Sequence, residues 1–179
     1  GVVPQMPDPR DDGGQHHTEA LITAVDQLTR SASGGTLVLF TSFRAMNRVY
    51  APLASGFIAA GLTPMIQARK GPSRAALLQR FRDTKNSVLF ATDSFWEGID
   101  IPGDSLRLVL ITKLPFSVPT EPIAMARQER LREQGKNPFF ELSLPEAILR
   151  LRQGYGRLIR RQTDRGAVVI LDPRVETAR

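Results

Sequence analysis

The length, composition and charge of the chain favour one globular domain and exclude several kinds of site. Its 179 residues, 41% of them hydrophobic, suffice for one ordinary core, and the absence of cysteine excludes disulfides, thiolate metal sites and thiol catalysis. The 24 Lys and Arg exceed the 18 Asp and Glu, giving a net charge of +6 that favours a polyanionic partner, although such a charge can also simply keep a protein in solution.

The sequence carries no sign of a membrane segment or a secretory leader. It has no apolar run of about 18 residues or more, and no charged leader is followed by an apolar stretch. No membrane partner is therefore expected. The expected location is the cytoplasm, in a bacterium at the nucleoid.

The first 17 residues are predicted to be a linker from a preceding domain. They are rich in Pro, Asp and Gly, and the chain opens at Gly1 rather than Met, which suggests a piece excised from a longer protein. His16 and His17 fall within this linker and are expected to be exposed to solvent. The globular domain is expected to cover residues 18–179.

Helices and strands are predicted to alternate along that domain. The predicted strands are short apolar runs at 36–41, 65–67, 87–91, 106–112 and 167–171. The predicted helices carry apolar residues at helical spacing, at 18–30, 42–60, 73–82, 121–134 and 144–161. Thr18, Ser42 and Ser73 are the expected N-caps of the first three helices, and Pro52 is expected to bend or restart the second. The alternation indicates an α/β fold with a parallel sheet between helices, which binds ligands at the carboxyl ends of its strands.

A polar loop is predicted directly after the third strand, at residues 92–103. Its candidate side chains are two hydroxyls, two aromatic rings, a turn-forming glycine and a carboxylate: Thr92, Ser94, Phe95, Trp96, Gly98 and Asp100. The hydroxyls and the carboxylate can bind phosphate and ribose, and an aromatic ring stacked on a base contributes about 1–3 kcal/mol in single-strand binders. Packing inside the protein is the alternative for the rings.

A basic cluster lies on the predicted helix near the C-terminus, at residues 153–161. Arg157 and Arg160 are three residues apart, so both guanidiniums project from one helix face and can converge on a single anion, such as the γ-phosphate of a nucleotide. Gly156 would allow a close approach. A solvated basic helix is the alternative.

Several common sites are missing from the sequence. It contains no Gly-x-x-x-x-Gly-Lys-Ser/Thr phosphate cradle, because Gly135-Lys136 runs into Asn137-Pro138. No cluster of side chains has convincing metal-ligand spacing, and no Ser, His and carboxylate have the spacing of a hydrolase triad. Neither a metal site nor a nucleotide cradle is therefore expected in this chain.

Three stretches, in order, form a specific signature: 95–103 (FWEGIDIPG), 113–119 (KLPFSVP) and 153–160 (QGYGRLIR). Together with the polar residues after the first strand, they resemble motifs four, five and six of superfamily 2 helicases, most closely the DinG branch of the DinG and XPD helicases. The resemblance covers nearly all of residues 18–174. It implies a RecA-like, P-loop NTPase-type three-layer sandwich, the second of two motor domains, which lacks its own Walker A motif.

The resemblance also implies roles for named residues at a nucleotide site. Arg157 and Arg160 would be catalytic arginine fingers on the γ-phosphate, and Asp100 would accept a hydrogen bond from the ribose. The remaining residues implied at the nucleotide site are Gly98, Glu97 and Gln153. Gln153 and Gly98 would help to couple this cleft to the bound strand.

A further set of residues is expected along single-stranded DNA, and of these the resemblance supplies Ser42, Arg44 and Thr92. They are hydroxyl, aromatic and basic side chains near strand ends: Ser42, Arg44, Thr92, Ser94, Phe95, Trp96 and Lys113. Of these, Thr92 is expected to face a backbone phosphate. Lys113 is assigned from its charge at a strand end.

The function that follows is the second motor domain of an ATP-dependent DNA helicase, with an expected 5′ to 3′ direction and a role in DNA repair or replication. ATP and Mg²⁺ would be held mainly by the first motor domain, so this chain alone is expected to be inactive. An iron–sulfur cluster, where the parent protein has one, would lie on cysteines outside this chain. The expected partners are single-stranded or forked DNA and the first motor domain, and no oligomer is predicted.

Two alternatives remain open from the sequence. One is a stand-alone nucleic-acid-binding module without nucleotide chemistry, built on the basic helix and the aromatic loop. The other is half of an RNA helicase, which is disfavoured because the sixth motif begins at Gln153 and lacks the His-Arg opening of DEAD-box proteins.

Overall fold

The chain folds around one sheet whose strand pairings are all parallel within the described residues. The computed structural model describes residues 6–7, 11–92, 95, 105–114, 122–143, 145–147, 149 and 166–173. Its strands are β1 (Thr36–Phe40), β2 (Thr63–Ile66), β3 (Ser87–Thr92), β4 (Leu108–Ile111) and β5 (Ala167–Ile170). They form a five-stranded sheet in the order β2-β3-β1-β4-β5. The predicted α/β class with a parallel sheet is confirmed.

Helices flank this sheet and connect its strands. They are α1 (Gln15–Ser31), α2 (Phe43–Ala59), α3 (Arg74–Asp83) and α4 (Pro122–Glu133), with a 3₁₀ helix at Asp11–Gly14 and a π-helix at Phe139–Ser143. Of the helix predicted at 144–161, the structure describes helical residues at 145–147 and 149. None of the helices in the described ranges is long and apolar enough to cross a membrane.

Two of the three predicted helix caps are confirmed. Ser42 Oγ accepts a hydrogen bond from the backbone N of Ala45 at 3.2 Å, and Ser73 Oγ accepts one from Ala76 N at 3.2 Å. Each hydroxyl satisfies one of the amides that a helix N-terminus leaves without an intrahelical acceptor. Helix α2 runs on through Pro52, so this proline does not restart it.

The prediction that Thr18 caps α1 is wrong. A 3₁₀ turn leads into the helix, which begins at Gln15 after Gly14 in the left-handed conformation, φ 78°. Thr18 therefore lies in the first turn, where its hydroxyl donates to the carbonyl of Gly14 at 2.7 Å. A hydroxyl inside a helix bonds back to the carbonyl four residues earlier, as here, when the helix has already begun.

The expected exposure of the histidine pair is confirmed for His16 and wrong for His17. His17 is 8% exposed, its Nδ1 lies 2.9 Å from the carbonyl oxygen of Pro7, and Met6 is buried in the core that contains Leu21 and Val25 of α1. Residues 6–7 therefore lie against α1. The domain boundary expected after residue 17 falls inside α1.

Alternation along the central strand builds a core on each face of the sheet. In β1, Leu37 and Leu39 pack with residues of α3, whereas Val38 and Phe40 pack with residues of α1 and α2. Each fully buried side chain of this size contributes about 1.5–3 kcal/mol relative to exposure. The two cores fix the sheet between helices and so define the edge at which its strands end.

Candidate functional site

The carboxyl ends of the strands meet along one edge of the sheet. The register places Phe40 of β1 beside Thr92 of β3, and Leu39 beside Ile111 of β4. Thr112 continues this pairing, because its backbone N and its Oγ1 both donate to the carbonyl of Leu39, at 3.0 and 2.8 Å. The polar residues that follow separate strands are therefore neighbours, as an open parallel sheet requires.

A cavity of about 340 Å³ opens at this edge between the N-terminal ends of α1 and α2. Its lining comes from those helix ends and from the residues after β1 and β4: Gly13, Gly14, His17, Thr18, Leu21, Thr41, Ser42, Arg44, Ala45, Arg48, Val49, Thr112 and Lys113. Lys113, which follows β4, thus lines the same cavity as Ser42 and Arg44, which follow β1.

The lining of this cavity is cationic. Arg44 and Arg48 are four residues apart on α2 and share one helix face, and Lys113 follows β4. All three side chains are exposed, and among the described residues no carboxylate belongs to the lining. Within the same residues none of the three forms an ion pair, whereas Arg30 pairs with Asp26 on α1 and Arg132 pairs with Glu129 on α4. Their charge is therefore available to an anion.

The N-terminus of α2 adds to this positive potential. Ser42 Oγ accepts a hydrogen bond from the Ala45 amide, and the Ser42 carbonyl accepts one from Met46 N at 3.1 Å. The amides of Phe43 and Arg44 precede the first intrahelical bonds and face the end of the helix, where the aligned peptide dipoles leave about half a positive charge. Amides and guanidiniums together suit a phosphate group.

Thr92 ends β3 beside this edge and has a protein partner. Its backbone N and its Oγ1 donate to the Oε1 of Gln67 at 2.8 and 2.9 Å, and the residue is 4% exposed. Contact between Thr92 and a DNA phosphate stays a prediction, and it would require the hydroxyl to donate its proton to the phosphate instead of to Gln67.

Phe95 is held three residues further along the chain. It is 1% exposed within the core, and the guanidinium of Arg74 lies 5.3 Å from its ring centroid while Nη2 donates to its carbonyl at 3.2 Å. This is the packing alternative to base stacking. A nucleic-acid contact by Phe95 stays a prediction that would require the ring to leave the core.

The loop after β4, which carries Lys113, is tied to the loop after β5. The backbone N of Leu114 donates to Asp172 Oδ2 at 2.9 Å, and Asp172 is 4% exposed. The Asp172 carboxylate thus fixes the backbone of Leu114, next to Lys113, and so limits where the Lys113 side chain begins.

Sequence reasoning missed four residues of this edge: Gln67, Arg74, Arg48 and Asp172. A signal was available for three of them. Gln67 and Asp172 follow strands at the carboxyl edge, and Arg48 lies four residues after Arg44, on the same face of a helix. Nothing in the sequence pairs Arg74 with Phe95.

Eight predicted site residues lie outside the described residues. They are Ser94, Trp96, Glu97, Gly98, Asp100, Gln153, Arg157 and Arg160. Within the described ranges, no group of three His, Asp or Glu side chains is arranged to hold a metal ion.

Comparison with known proteins gives a consistent picture. Residues 25–179 match the model of the helicase C-terminal domain. The protein named 3′-5′ exonuclease DinG in Bacillus subtilis is 37% identical over 177 residues, which are 99% of this chain and 19% of that protein. The ATP-dependent DNA helicase YoaA of Escherichia coli is 38% identical over 174 residues, 97% of this chain and 26% of that protein. The chain thus spans about a fifth to a quarter of the length of these relatives.

A solved structure shows the same fold. An XPD helicase superposes on 89% of this chain and 28% of its own with a TM-score of 0.67, at 18% sequence identity. The shared architecture is the RecA-like sandwich implied by the motif order.

Proposed function

Because this chain belongs to the helicase C-terminal domain family, we propose that it is the second motor domain of an ATP-dependent DNA helicase of the DinG and XPD type. Its similarity to a protein named an ATP-dependent DNA helicase supports this proposal. The domain would act with a first motor domain that supplies the phosphate cradle missing from its sequence. By itself the chain would not hydrolyse ATP.

The nucleotide would lie between the two motor domains. The described cavity has guanidinium, ammonium and amide donors that fit a phosphate. Mg²⁺ would be held mainly by the first motor domain, which supplies the phosphate cradle. Asp100 would accept a hydrogen bond from the ribose, and Glu97 would lie at the same nucleotide site. Gly98 and Gln153 would help to couple this cleft to DNA. Bound ATP supplies the phosphoryl group, and Arg157 and Arg160 would stabilise the charge that develops on it.

The observation that carries the DNA side of the proposal is the cationic cavity at the carboxyl edge. Arg44, Arg48 and Lys113 surround a space large enough for a backbone phosphate and sit at a helix N-terminus. A site built from backbone-phosphate contacts is independent of sequence, which a motor moving along single-stranded DNA needs. The substrate would be single-stranded or forked DNA, tracked 5′ to 3′.

Neutralising the cavity should weaken DNA binding with a defined salt dependence. For the triple variant Arg44→Ala, Arg48→Ala and Lys113→Ala in the complete helicase, we expect single-stranded DNA affinity to fall about 5- to 25-fold at 0.1 M salt. One or two lost phosphate contacts should lower the slope of log K against log salt by about 0.7 each. Fluorescence anisotropy with a labelled oligonucleotide across a salt series measures both quantities.

A matched control removes the same charge elsewhere. Arg80→Ala, Arg130→Ala and Lys136→Ala change exposed residues on or just after α3 and α4, away from the cavity lining. If the control weakened binding as much as the cavity variant, the effect would belong to net charge and the cavity would lose its assigned role.

The isolated chain should bind single-stranded DNA only weakly, because half of the proposed track is supplied by the other motor domain. We expect a dissociation constant in the micromolar range or weaker at physiological salt, where non-specific binding is about 10⁻⁴–10⁻⁶ M. Submicromolar binding by the isolated chain in the same anisotropy assay would favour a stand-alone binding module. Comparing DNA with RNA as stimulators of ATP hydrolysis in the complete protein tests the choice of nucleic acid.

A further inference from the structure

Gln67 lies one residue beyond β2 and links that strand to the end of β3. Its backbone N donates to the carbonyl of Phe90 at 2.9 Å and extends the parallel ladder past Ile66. The position of the Gln67 side chain is therefore set by the sheet rather than by a loop.

The side chain of Gln67 receives both donors of Thr92. The backbone N and Oγ1 of Thr92 lie 2.8 and 2.9 Å from Gln67 Oε1. Because a backbone amide can only donate, the atom it meets must be the amide oxygen, and the orientation of the Gln67 amide is thereby assigned. Strand β2 ends at Ile66, so it offers no further backbone carbonyl to β3. Gln67 Oε1 accepts from the Thr92 amide in place of such a carbonyl.

Arg74 provides a second anchor on the same segment. It is the first residue of α3, and it holds the carbonyl and the ring of Phe95. Gln67 follows β2 and Arg74 begins α3. The two ends of this connection therefore hold the chain at Thr92, where β3 ends, and at Phe95.

We propose that Gln67 is a positioning residue for the loop after β3. By holding Thr92 through its amide oxygen, it fixes the start of the loop that carries Asp100 and so aligns the nucleotide and DNA contacts of that loop. The inference rests on the proposed helicase function. It adds a residue that touches neither ligand and acts through Thr92.

The Thr92 hydroxyl has a single proton, which gives the position two states. When that proton is donated to Gln67, the hydroxyl can only accept; when it is donated to a phosphate, the side-chain bond to Gln67 is lost while the backbone bond remains. Gln67 can thus keep the loop anchored in both states. Loss of the acceptor should affect how DNA stimulates ATP hydrolysis more than it affects folding.

The test uses the complete helicase with Gln67→Met, which keeps the length of the side chain and removes the acceptor, and Gln67→Glu, which keeps an acceptor oxygen. DNA-stimulated kcat should fall about tenfold for Gln67→Met, and Gln67→Glu should recover most of it. Hydrogen exchange by mass spectrometry should be faster in peptides covering 92–103 for Gln67→Met alone. Gln79→Met, on the exposed face of α3, is the matched control and should match the wild type in both measurements.

A double-mutant cycle separates action through Thr92 from a general loss of structure. Thr92→Val removes the hydroxyl bond, and the effects of Gln67→Met and Thr92→Val on kcat should be less than additive. Additive effects, unchanged turnover in Gln67→Met, or exchange that rises equally throughout the protein would overturn the proposal. Should Gln67→Met fail to fold, Thr92→Val carries the test. Peptides covering 92–103 should then exchange faster than in the wild type while the rest of the protein is unchanged, and unchanged exchange in those peptides would overturn the proposal.

The wild-type protein distinguishes the two levels of inference. If it shows no DNA-stimulated ATP hydrolysis, the proposed function fails whatever the variants do. If it is stimulated and Gln67→Met is stimulated equally, only the positioning role fails.

Discussion

Replacing Arg160 with alanine should abolish DNA-stimulated ATP hydrolysis in a helicase that pairs this domain with its first motor domain. The proposed arginine is aimed across the cleft at oxygens that gain charge as the phosphoryl group transfers, and such arginines raise the rate roughly 10³–10⁵-fold. Turnover should fall by about that factor. ATP binding should remain largely intact, because the phosphate cradle belongs to the other domain.

The measurement combines steady-state ATP hydrolysis at saturating single-stranded DNA with binding of a non-hydrolysable ATP analogue. Arg160→Lys keeps the charge but loses the planar fork of donors, and we expect it to recover little of the rate. Arg132→Ala is the control: Arg132 is exposed on α4, paired with Glu129 at 3.1 Å, and its loss should leave turnover near the wild-type value. Near-normal turnover in Arg160→Ala would favour the solvated basic helix over the arginine finger.

Local patterns in the sequence predicted most of the elements correctly. Strand β1 is a continuous apolar run because it is central and buried on both faces, and its predicted bounds, 36–41, differ from the observed Thr36–Phe40 by one residue. Ser42 and Ser73 were recognisable as caps because each hydroxyl stands just before a helical pattern and serves an amide three residues later. Such information lies within a few residues of the chain.

The errors at the N-terminus also come from relying on local sequence patterns. A Thr before an apolar helical pattern is typical of a cap, yet the 3₁₀ turn extends the helix to Gln15 and leaves Thr18 inside it. His17 was expected in solvent because it was placed in the linker, but residues 6–7 lie against α1 and its ring meets the carbonyl of Pro7. The spacing of apolar residues predicts neither the 3₁₀ turn nor the contact between Pro7 and His17.

The contacts between side chains from distant segments required the strand order. Gln67 meets Thr92 only because β2 lies beside β3, and Lys113 reaches the Arg44 cavity only because β4 lies beside β1. Alternating helices and strands indicate a parallel sheet but leave this order open. The sequence named Thr92 but not Gln67, and it named Arg44 and Lys113 without bringing them together. The fold supplies the missing partner in the first case and the shared cavity in the second.

Phe90→Ala should be among the most destabilising single changes in the domain. Phe90 is fully buried, and its ring centroid lies 5.2 Å from that of Tyr50, 6.0 Å from Phe40 and 6.4 Å from Phe57. Truncating a buried Phe to Ala costs about 3–5 kcal/mol, since the transfer energy of the ring is lost and a cavity remains. Against a total stability of about 5–15 kcal/mol, this is a large fraction.

Urea unfolding measures the loss as a lower midpoint with an unchanged slope. Phe90→Leu keeps more of the side-chain volume and should cost less than Phe90→Ala, while Ile58→Ala on the outer face of α2, where the side chain is 65% exposed, should change stability by less than about 0.5 kcal/mol. A loss below about 1 kcal/mol in Phe90→Ala would mean that the aromatic cluster is not the rigid support of β3.

The stability defect of Phe90→Ala and the catalytic defect of Arg160→Ala should be separable by temperature. Phe90 lies on β3, which ends at Thr92, and its carbonyl accepts from Gln67 N. A loosened β3 therefore also displaces Thr92 at the edge of the sheet. DNA-stimulated hydrolysis lost in this way depends on the folded fraction, which recovers on cooling towards the temperature of maximum stability, about 10–20 °C. The loss in Arg160→Ala should remain at that temperature, because it lies in the barrier of the reaction rather than in the population of the fold.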